Sequence, residues 1–296
     1  MPMDIEAIAQ KKQEIIDKFG EWTNHNIHLA DDIYTIGQKI TGSEVKVRRI
    51  LQAISDVVDR PFENLRILDL ACLEGLYGIE LALHGAEVVG IEGRQANIEK
   101  ARFAKEALSL DNIQLVHDDV RNLSPEKYGT FDVVLCLGIL YHLDVPDIFR
   151  FVENMAAVCQ KLLILDTHVS TNAEKCYIYN EQKYWGSHYA EHSGNSTPEE
   201  REKLLWASLD NLTSFWFTRP SLYNLLSEVG FTSVHECHNP AVIKYEVMRQ
   251  RKEADRNTFL AIKGKQERIL SSSIANNIPP ERWPEKEELE VAIRTR

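Results

Sequence analysis

The sequence predicts an α/β fold, a mostly parallel sheet flanked by helices. Short apolar runs recur at residues 66–71, 87–91, 113–116, 131–137 and 161–167, with helix-length segments between them. Each run is continuously apolar rather than alternating, as strands are when helices cover both faces of a parallel sheet. The first run passes through a tight turn into a helix, the kind of turn beside which open α/β sheets bind ligands. The pattern is Rossmann-like.

Ahead of this core, residues 1–60 read as a helical extension. A first helix is expected from about Ile5 to Phe19. From Glu44 to Asp59, the residues Val47, Ile50, Leu51, Ile54, Val57 and Val58 recur at helical spacing, with Arg48, Arg49, Gln52, Ser55 and Asp56 on the other face. Between the two helices lies an aromatic and histidine-rich stretch from Trp22, without clear periodicity. The core spans 61–168. Residues 169–218 then interrupt the alternation with a concentration of aromatics and histidines, within which Thr197-Pro-Glu-Glu has the N-cap, first-position proline and early acids of a helix start. An insertion of this length is expected to serve as a substrate lid. The core resumes over 219–265, where Leu222, Leu225, Leu226 and Val229 form a helical stripe ended by Gly230, with strands near 232–236 and 258–263. The tail, 266–296, is polar and is expected to be surface-bound or partly disordered.

Composition narrows the class. The formal net charge is −11, whereas nucleic-acid binders draw much of their affinity from Lys and Arg on phosphates. The short cluster Lys46, Arg48 and Arg49 reads equally well as an exposed helix face. The balance is against a nucleic-acid partner and for a small molecule. No apolar run reaches the roughly eighteen residues of a membrane span, and the N-terminal stretch mixes acids and bases without the apolar centre of a signal peptide. The five cysteines (Cys72, Cys136, Cys159, Cys176 and Cys237) are odd in number and widely spaced, without a CxxC pair. This predicts reduced thiols, a cytoplasmic setting and no thiolate metal site.

The chemistry gathers around Arg66-Ile-Leu-Asp-Leu-Ala-Cys-Leu-Glu-Gly75. The second strand ends in Gly90-Ile-Glu92-Gly93, which puts Glu92 about twenty residues past the turn, where a carboxylate can accept both ribose hydroxyls of an adenosine cofactor. A dinucleotide would need glycines that bring a helix N-terminus to its pyrophosphate. Here the turn lacks that spacing and carries Asp69, which repels a pyrophosphate and attracts the ammonium and sulfonium of S-adenosylmethionine (SAM). Charge therefore predicts SAM.

These residues resemble the class I SAM-dependent methyltransferases, whose motif I reads D-x-G-x-G-x-G. The resemblance implies the Rossmann-like class I methyltransferase fold and methyl transfer from SAM to an O or N atom of an acceptor. It places Asp69, Ala71, Cys72 and Gly75 in the cofactor turn and Glu92 with Gly93 at the ribose. Within His117-Asp-Asp-Val120, it puts Asp119 near the adenine amino group and Val120 at the ring edge, and Leu137 and Gly138 fall beside the methionine portion. Ala71 and Leu73 replace the first two glycines of the motif. Leucine adopts positive φ poorly, so the loop is expected to be either reshaped or weakened as a cradle. More narrowly, Leu137-Gly-Ile-Leu-Tyr-His142, the upstream Trp22…Ile27-His-Leu…Thr35 and the later Trp216-Phe-Thr-Arg-Pro-Ser…Gly230-Phe231 resemble the tRNA wobble-uridine carboxymethyltransferases and their relatives, over roughly residues 20–235. Thr23 and Asn24 stand where those enzymes carry a basic residue just after the tryptophan. With the acidic charge, this points to a relative that uses ordinary SAM on a small acceptor. A tRNA-modifying enzyme and a non-catalytic SAM-fold binding protein are the alternatives.

Methyl transfer requires an aligned acceptor and, for an O–H or N–H group, removal of its proton. His142, after the fourth core strand, either takes that proton or only caps the strand end. His168 ends the fifth core strand and is either a second candidate base or a solvated loop residue. Tyr141, Tyr184, Trp185, His188, Trp216 and Arg219 are candidate acceptor-binding residues. For Tyr141 the alternative is packing, and for Arg219 a salt bridge at a helix start. His188 and His192 at i, i+4 would share one face of a helix, but no third ligand is evident and no metal is assigned.

Overall fold

The structure, a computed structural model, describes residues 3–37, 43–237 and 256–264. The predicted tail at 266–296 lies outside the described residues. The described chain divides into two compact units, one within residues 1–137 and 157–164, the other within 138–156 and from 165 onward.

In the first unit, α1 (Ile5–Phe19) starts on Asp4, whose carboxylate accepts from the Ala7 N–H, and stops at Gly20. The extension is not wholly helical: β1 (His28–Ala30) and β2 (Ile33–Tyr34) form a small antiparallel hairpin. Strands of three and two residues are too short to show a period. The helix α2 (Ser43–Val57) follows the predicted stripe, burying Val47, Ile50 and Ile54, with Val58 just beyond it. Then come β3 (Arg66–Leu70), α3 (Leu76–Leu83), β4 (Glu87–Glu92), α4 (Gln95–Ala107), β5 (Ile113–His117), the short α5 (Pro125–Tyr128) and β6 (Phe131–Leu137). Strand β3 pairs in parallel with β4 and β6, and β4 with β5. Ile67 and Leu68 point to opposite faces of β3 and both are fully buried, which is why the predicted run is continuously apolar. Each contributes about 1.5–3 kcal/mol by burial.

The helix α6 (Asp147–Val158) and strand β7 (Cys159–His168) follow. In the second unit the insertion is a folded antiparallel sheet. Its strands are β8 (Lys175–Tyr179), β9 (Gln182–Ala190) and β10 (Thr213–Phe217), in the order β10-β9-β8. The β8–β9 turn is the two-residue Asn180-Glu181, with φ of 47° and 65°, the geometry of a tight hairpin whose twist matches its strands. Tyr184, Phe215 and Phe217 give this sheet its own core, and Phe149 stacks on Tyr179 at 4.6 Å. Between β9 and β10 lies α7 (Pro198–Lys203), with Thr197 and Glu200 forming a reciprocal capping box. The chain continues through α8 (Arg219–Glu228), β11 (Ser233–Glu236) and β12 (Arg256–Ile262), the last two antiparallel.

Seven strands form the main sheet in the order β11-β12-β7-β6-β3-β4-β5. The chain leaves β3 toward β4 and β5 and returns to its other side as β6, so the topology switches direction at β3 and β6. Ligands of open α/β sheets bind beyond the strand ends at such a point.

Candidate functional site

The turn after β3 is held in the shape a glycine-rich loop would have. Ala71, Leu73 and Gly75 take φ of 51°, 50° and 88°, so every second residue is left-handed. The residues that replace the glycines accept left-handed conformations, at about 1–2 kcal/mol for each non-glycine position. Several hydrogen bonds hold the loop there. The Cys72 N–H donates to the Ile91 carbonyl at 2.9 Å, Gly75 N–H to the Cys72 carbonyl at 2.9 Å, and Leu73 N–H to Glu92 Oε2 at 2.9 Å. Gly75 itself cannot be replaced cheaply, because a Cβ there would lie 2.9 Å from that of Ala101 on α4.

A second anchor escaped the sequence reading. Glu74, within the quoted motif, is fully buried. Its carboxylate accepts from the backbone N–H groups of Thr23 (2.8 Å), Asn24 (3.3 Å) and His25 (3.1 Å), and pairs with the buried Lys100 at 3.4 Å. The Lys100 ammonium also donates to the Glu21 carbonyl at 2.6 Å and sits 5.7 Å from the Trp22 ring. His25 completes the clasp, its Nδ1 accepting from the Leu76 N–H at 3.1 Å. Burial, then the charge of Lys46, lowers its pKa to about 3 and keeps it neutral as that acceptor requires. The segment 21–25 thereby holds the turn and the start of α3. Glu74 stands inside the motif, but nothing local reveals that its partners lie about fifty residues upstream.

The predicted acids divide by role. Asp69, expected to face the cofactor, is 1% exposed and accepts from Gly78 N–H at 3.1 Å, tying β3 to α3. Burial pushes its pKa up to about 7. Glu92 ends β4 and accepts from Leu73 N–H, Arg94 N–H (2.8 Å) and Asn97 (3.3 Å). Three donors do not exhaust a carboxylate's roughly four lone-pair sites, so Glu92 keeps acceptor capacity beside the turn. Asp119 caps the short turn at Val120–Asn122 and receives the Arg121 guanidinium, with Nε 2.9 Å from Oδ2. Cys72 and Val120 are buried, whereas Ala71, Gly93 and Leu137 are partly exposed. All these residues belong to the first unit.

The second unit brings another predicted set together. Tyr141 and His142 lie on the short turn Leu140–His142, whose carbonyls are held by the neighbouring sheet. Trp216 Nε1–H donates to the Tyr141 carbonyl at 2.9 Å, the Asn211 side chain to that of His142 at 3.1 Å, and Phe215 N–H to that of Leu143 at 2.9 Å. The His142 Nδ1 lies 3.0 Å from both oxygens of Glu191, a partner the sequence analysis passed over although it adjoins His192. His168 stacks on Trp216 at 4.7 Å, and Trp216 on Tyr189 at 4.7 Å. Trp216 is thus engaged by two stacked rings while its Nε1–H holds the Tyr141 turn. Burial, then Arg256, lowers the His168 pKa to about 4, so it is neutral near pH 7.

Other predicted residues have different surroundings. Tyr184 is 1% exposed and packs on Phe149 and Phe217, within the core rather than on a binding surface. Trp185 donates its backbone N–H to Ser221 Oγ at 2.7 Å. His188 and His192 do not share a helical face. His188 lies in β9, its Nε2 2.7 Å from the Tyr177 hydroxyl and its Nδ1 3.4 Å from Asp144, while His192 Nε2 lies 2.6 Å from the Ser208 carbonyl. Among the described residues, no three His, Cys, Asp or Glu side chains gather to hold a metal ion. Arg219 starts α8 and pairs with Glu236 at 3.3 Å, the salt-bridge alternative.

Residues 67–161 match a methyltransferase domain. This domain runs from β3 into β7 and contains the turn at 71–75, Glu92, Asp119 and His142. A ubiquinone biosynthesis O-methyltransferase of Maricaulis maris (strain MCS10) is 37% identical over 91 residues, 31% of this chain and 35% of the relative. One from Rickettsia akari (strain Hartford) is 28% identical over 138 residues, 46% of this chain and 51% of the relative. The chain thus spans about a third to a half of the length of the curated relatives it matches. Among solved structures, the N-terminal domain of EvdMO1, determined in the presence of SAH and D-fucose, superposes with a TM-score of 0.65 at 24% identity, covering 89% of this chain and 98% of that one. Magnesium protoporphyrin IX methyltransferase from Synechocystis PCC 6803, with bound SAM, gives 0.50 at 16% identity, over 75% of this chain and 80% of that one. The fold is the Rossmann-like fold of methyltransferases, as the sequence predicted. No helix among the described residues is long and apolar enough to cross a membrane.

Proposed function

We propose that the chain is a SAM-dependent methyltransferase acting on an O or N atom of a small-molecule acceptor. The observation that carries this is the clasped left-handed turn at 71–75, bonded through Leu73 N–H to Glu92 within a matched methyltransferase domain. The residues fit the cofactor: Glu92 has lone pairs left for ribose hydroxyls, and acids around the turn suit a cationic ligand better than a pyrophosphate. Asp69 would shape this cradle through α3, and Ala71, Cys72, Gly75, Gly93, Asp119, Val120 and Leu137 would complete it. The names of the curated relatives support an O-methyl product, and a neighbour of this fold was determined in the presence of D-fucose, a small hydroxylated molecule.

When bound, SAM supplies an activated methyl group. The residues of this chain would then position the acceptor and remove its proton. His142 is the proposed base, held by three carbonyl contacts on its turn, and the neutral His168 would act as a polar neighbour of the acceptor rather than as a charge. Tyr141, Trp185, His188, Trp216 and Arg219 are proposed to shape the acceptor environment from the sheet that the insertion builds.

Calorimetry with SAM and with SAH, followed by transfer of labelled methyl from SAM to catechol and to D-fucose, tests the reading. Micromolar binding of SAH is expected, and no binding of either compound would overturn it. The Leu137–His142 resemblance favours a second reading, an RNA acceptor. Retention of tRNA that weakens steeply with salt would support that instead.

A further inference from the structure

Glu191 is a buried carboxylate of the second unit with several hydrogen-bond donors around it. Its side chain is 1% exposed and that of His142 is 14% exposed. Besides His142 Nδ1, at 3.0 Å from both oxygens, it accepts from Ser214 Oγ–H at 2.7 Å and Ser208 N–H at 2.8 Å. Its backbone N–H donates to the Leu212 carbonyl at 2.9 Å, which fixes the residue just past the end of β9. Burial alone would raise its pKa, but the bonds from His142, Ser214 and Ser208 bring it below the usual value. An ionised carboxylate only accepts hydrogen bonds. The atom facing it, Nδ1, must then carry a hydrogen, which leaves Nε2 as the imidazole's lone pair. Among the described residues, no protein hydrogen bond is made to that Nε2.

We propose that Glu191 is a positioning residue that fixes the Nδ1–H tautomer of His142, so that Nε2 accepts a proton from a hydroxyl acceptor. The acceptor class rests on the methyltransferase reading; the tautomer does not. A hydroxyl gains most from such a base, because it is a weak nucleophile until its proton begins to leave. In the balanced step, the hydroxyl proton passes to Nε2 while the oxygen bonds to the methyl carbon and the carbon–sulfur bond breaks, its electron pair returning to sulfur as a neutral thioether. The imidazolium that forms is offset by Glu191, whose other two donors keep it in place.

The test begins with long-range 1H–15N spectra of the full chain labelled with 15N-histidine, His142 being assigned by its absence in His142→Gln. The expected result is an Nδ1–H tautomer at pH 7.5, retained in Ser214→Ala, where the carboxylate remains. In Glu191→Gln the amide can donate as well as accept, so the two His142 tautomers are expected to become mixed. Observing the Nε2–H tautomer in the native protein, a measurement that needs no variant to fold, would overturn the proposal. So would an unchanged tautomer population in Glu191→Gln. With catechol and D-fucose as probe acceptors, kcat in Glu191→Gln is expected to fall about 10–100-fold, with an unchanged KM for SAM. A native protein that shows the Nδ1–H tautomer but binds no SAH would remove the methyltransferase reading alone. One that binds SAH and methylates amines but no hydroxyl would overturn the acceptor class.

Discussion

At the scale of single residues, the cofactor turn shows backbone geometry prevailing over residue preference. Ala71 and Leu73 occupy left-handed conformations that glycine takes without strain. Ala71→Gly is therefore expected to stabilise the protein by up to about 1 kcal/mol, because relief of the left-handed strain outweighs the added freedom of the unfolded chain; the urea midpoint measures it. Gly75→Ala is expected to cost about 2 kcal/mol or more, since positive φ and a contact of 2.9 Å with Ala101 coincide there. His25 gives a pH prediction. Its folded pKa is depressed from 6.5 to about 3 by burial and then by Lys46, so between these values the unfolded chain binds the extra proton. Stability is therefore lost as pH falls from about 6.5 toward about 3. His25→Asn keeps an acceptor for Leu76 N–H without that proton, and its denaturation midpoint is expected to decline less over this range.

At the scale of elements, two short segments depend on distant partners. The segment 21–25 has no secondary structure of its own, yet Glu74 collects three of its N–H groups and pairs with Lys100 on α4. Glu74→Ala leaves the Lys100 ammonium buried with less compensation, and a loss of about 3–5 kcal/mol is expected in urea unfolding. Adding Lys100→Met is expected to restore part of that loss; a double variant no better than the single one would refute the pairing. The turn carrying Tyr141 and His142 depends in the same way on Asn211 and β10, which secure three successive carbonyls. The predicted lid is therefore a sheet that holds the candidate base. Its signal lay in Tyr177-Ile-Tyr, Tyr184-Trp and Phe215-Trp-Phe, residues that favour strands, but the aromatics read equally well as pocket lining until their pairing was known.

For the whole molecule, a ligand that binds only the folded state raises its stability by mass action. SAH at a hundred times its dissociation constant is expected to add about 2.7 kcal/mol and raise the unfolding temperature. Glu92→Ala, which removes the proposed ribose acceptor and the bond to Leu73 N–H, is expected to abolish most of that shift in a thermal scan. Retention of the full shift in this variant would remove Glu92 from the cofactor site.

The sequence by itself determined the parallel core, because strands buried on both faces must be continuously apolar, and it located the turn after β3 with Glu92 at the end of β4. The charged and glycine positions of that motif are local, so they could be read in order along the chain. Tertiary structure alone decided what holds those parts. The Glu74 clasp, the bond of Asp69 to Gly78, the stacking of His168 on Trp216 and the pairing of His142 with Glu191 join residues separated by up to about fifty positions. A buried carboxylate needs donors, and which groups supply them depends on which segments the folded chain brings together.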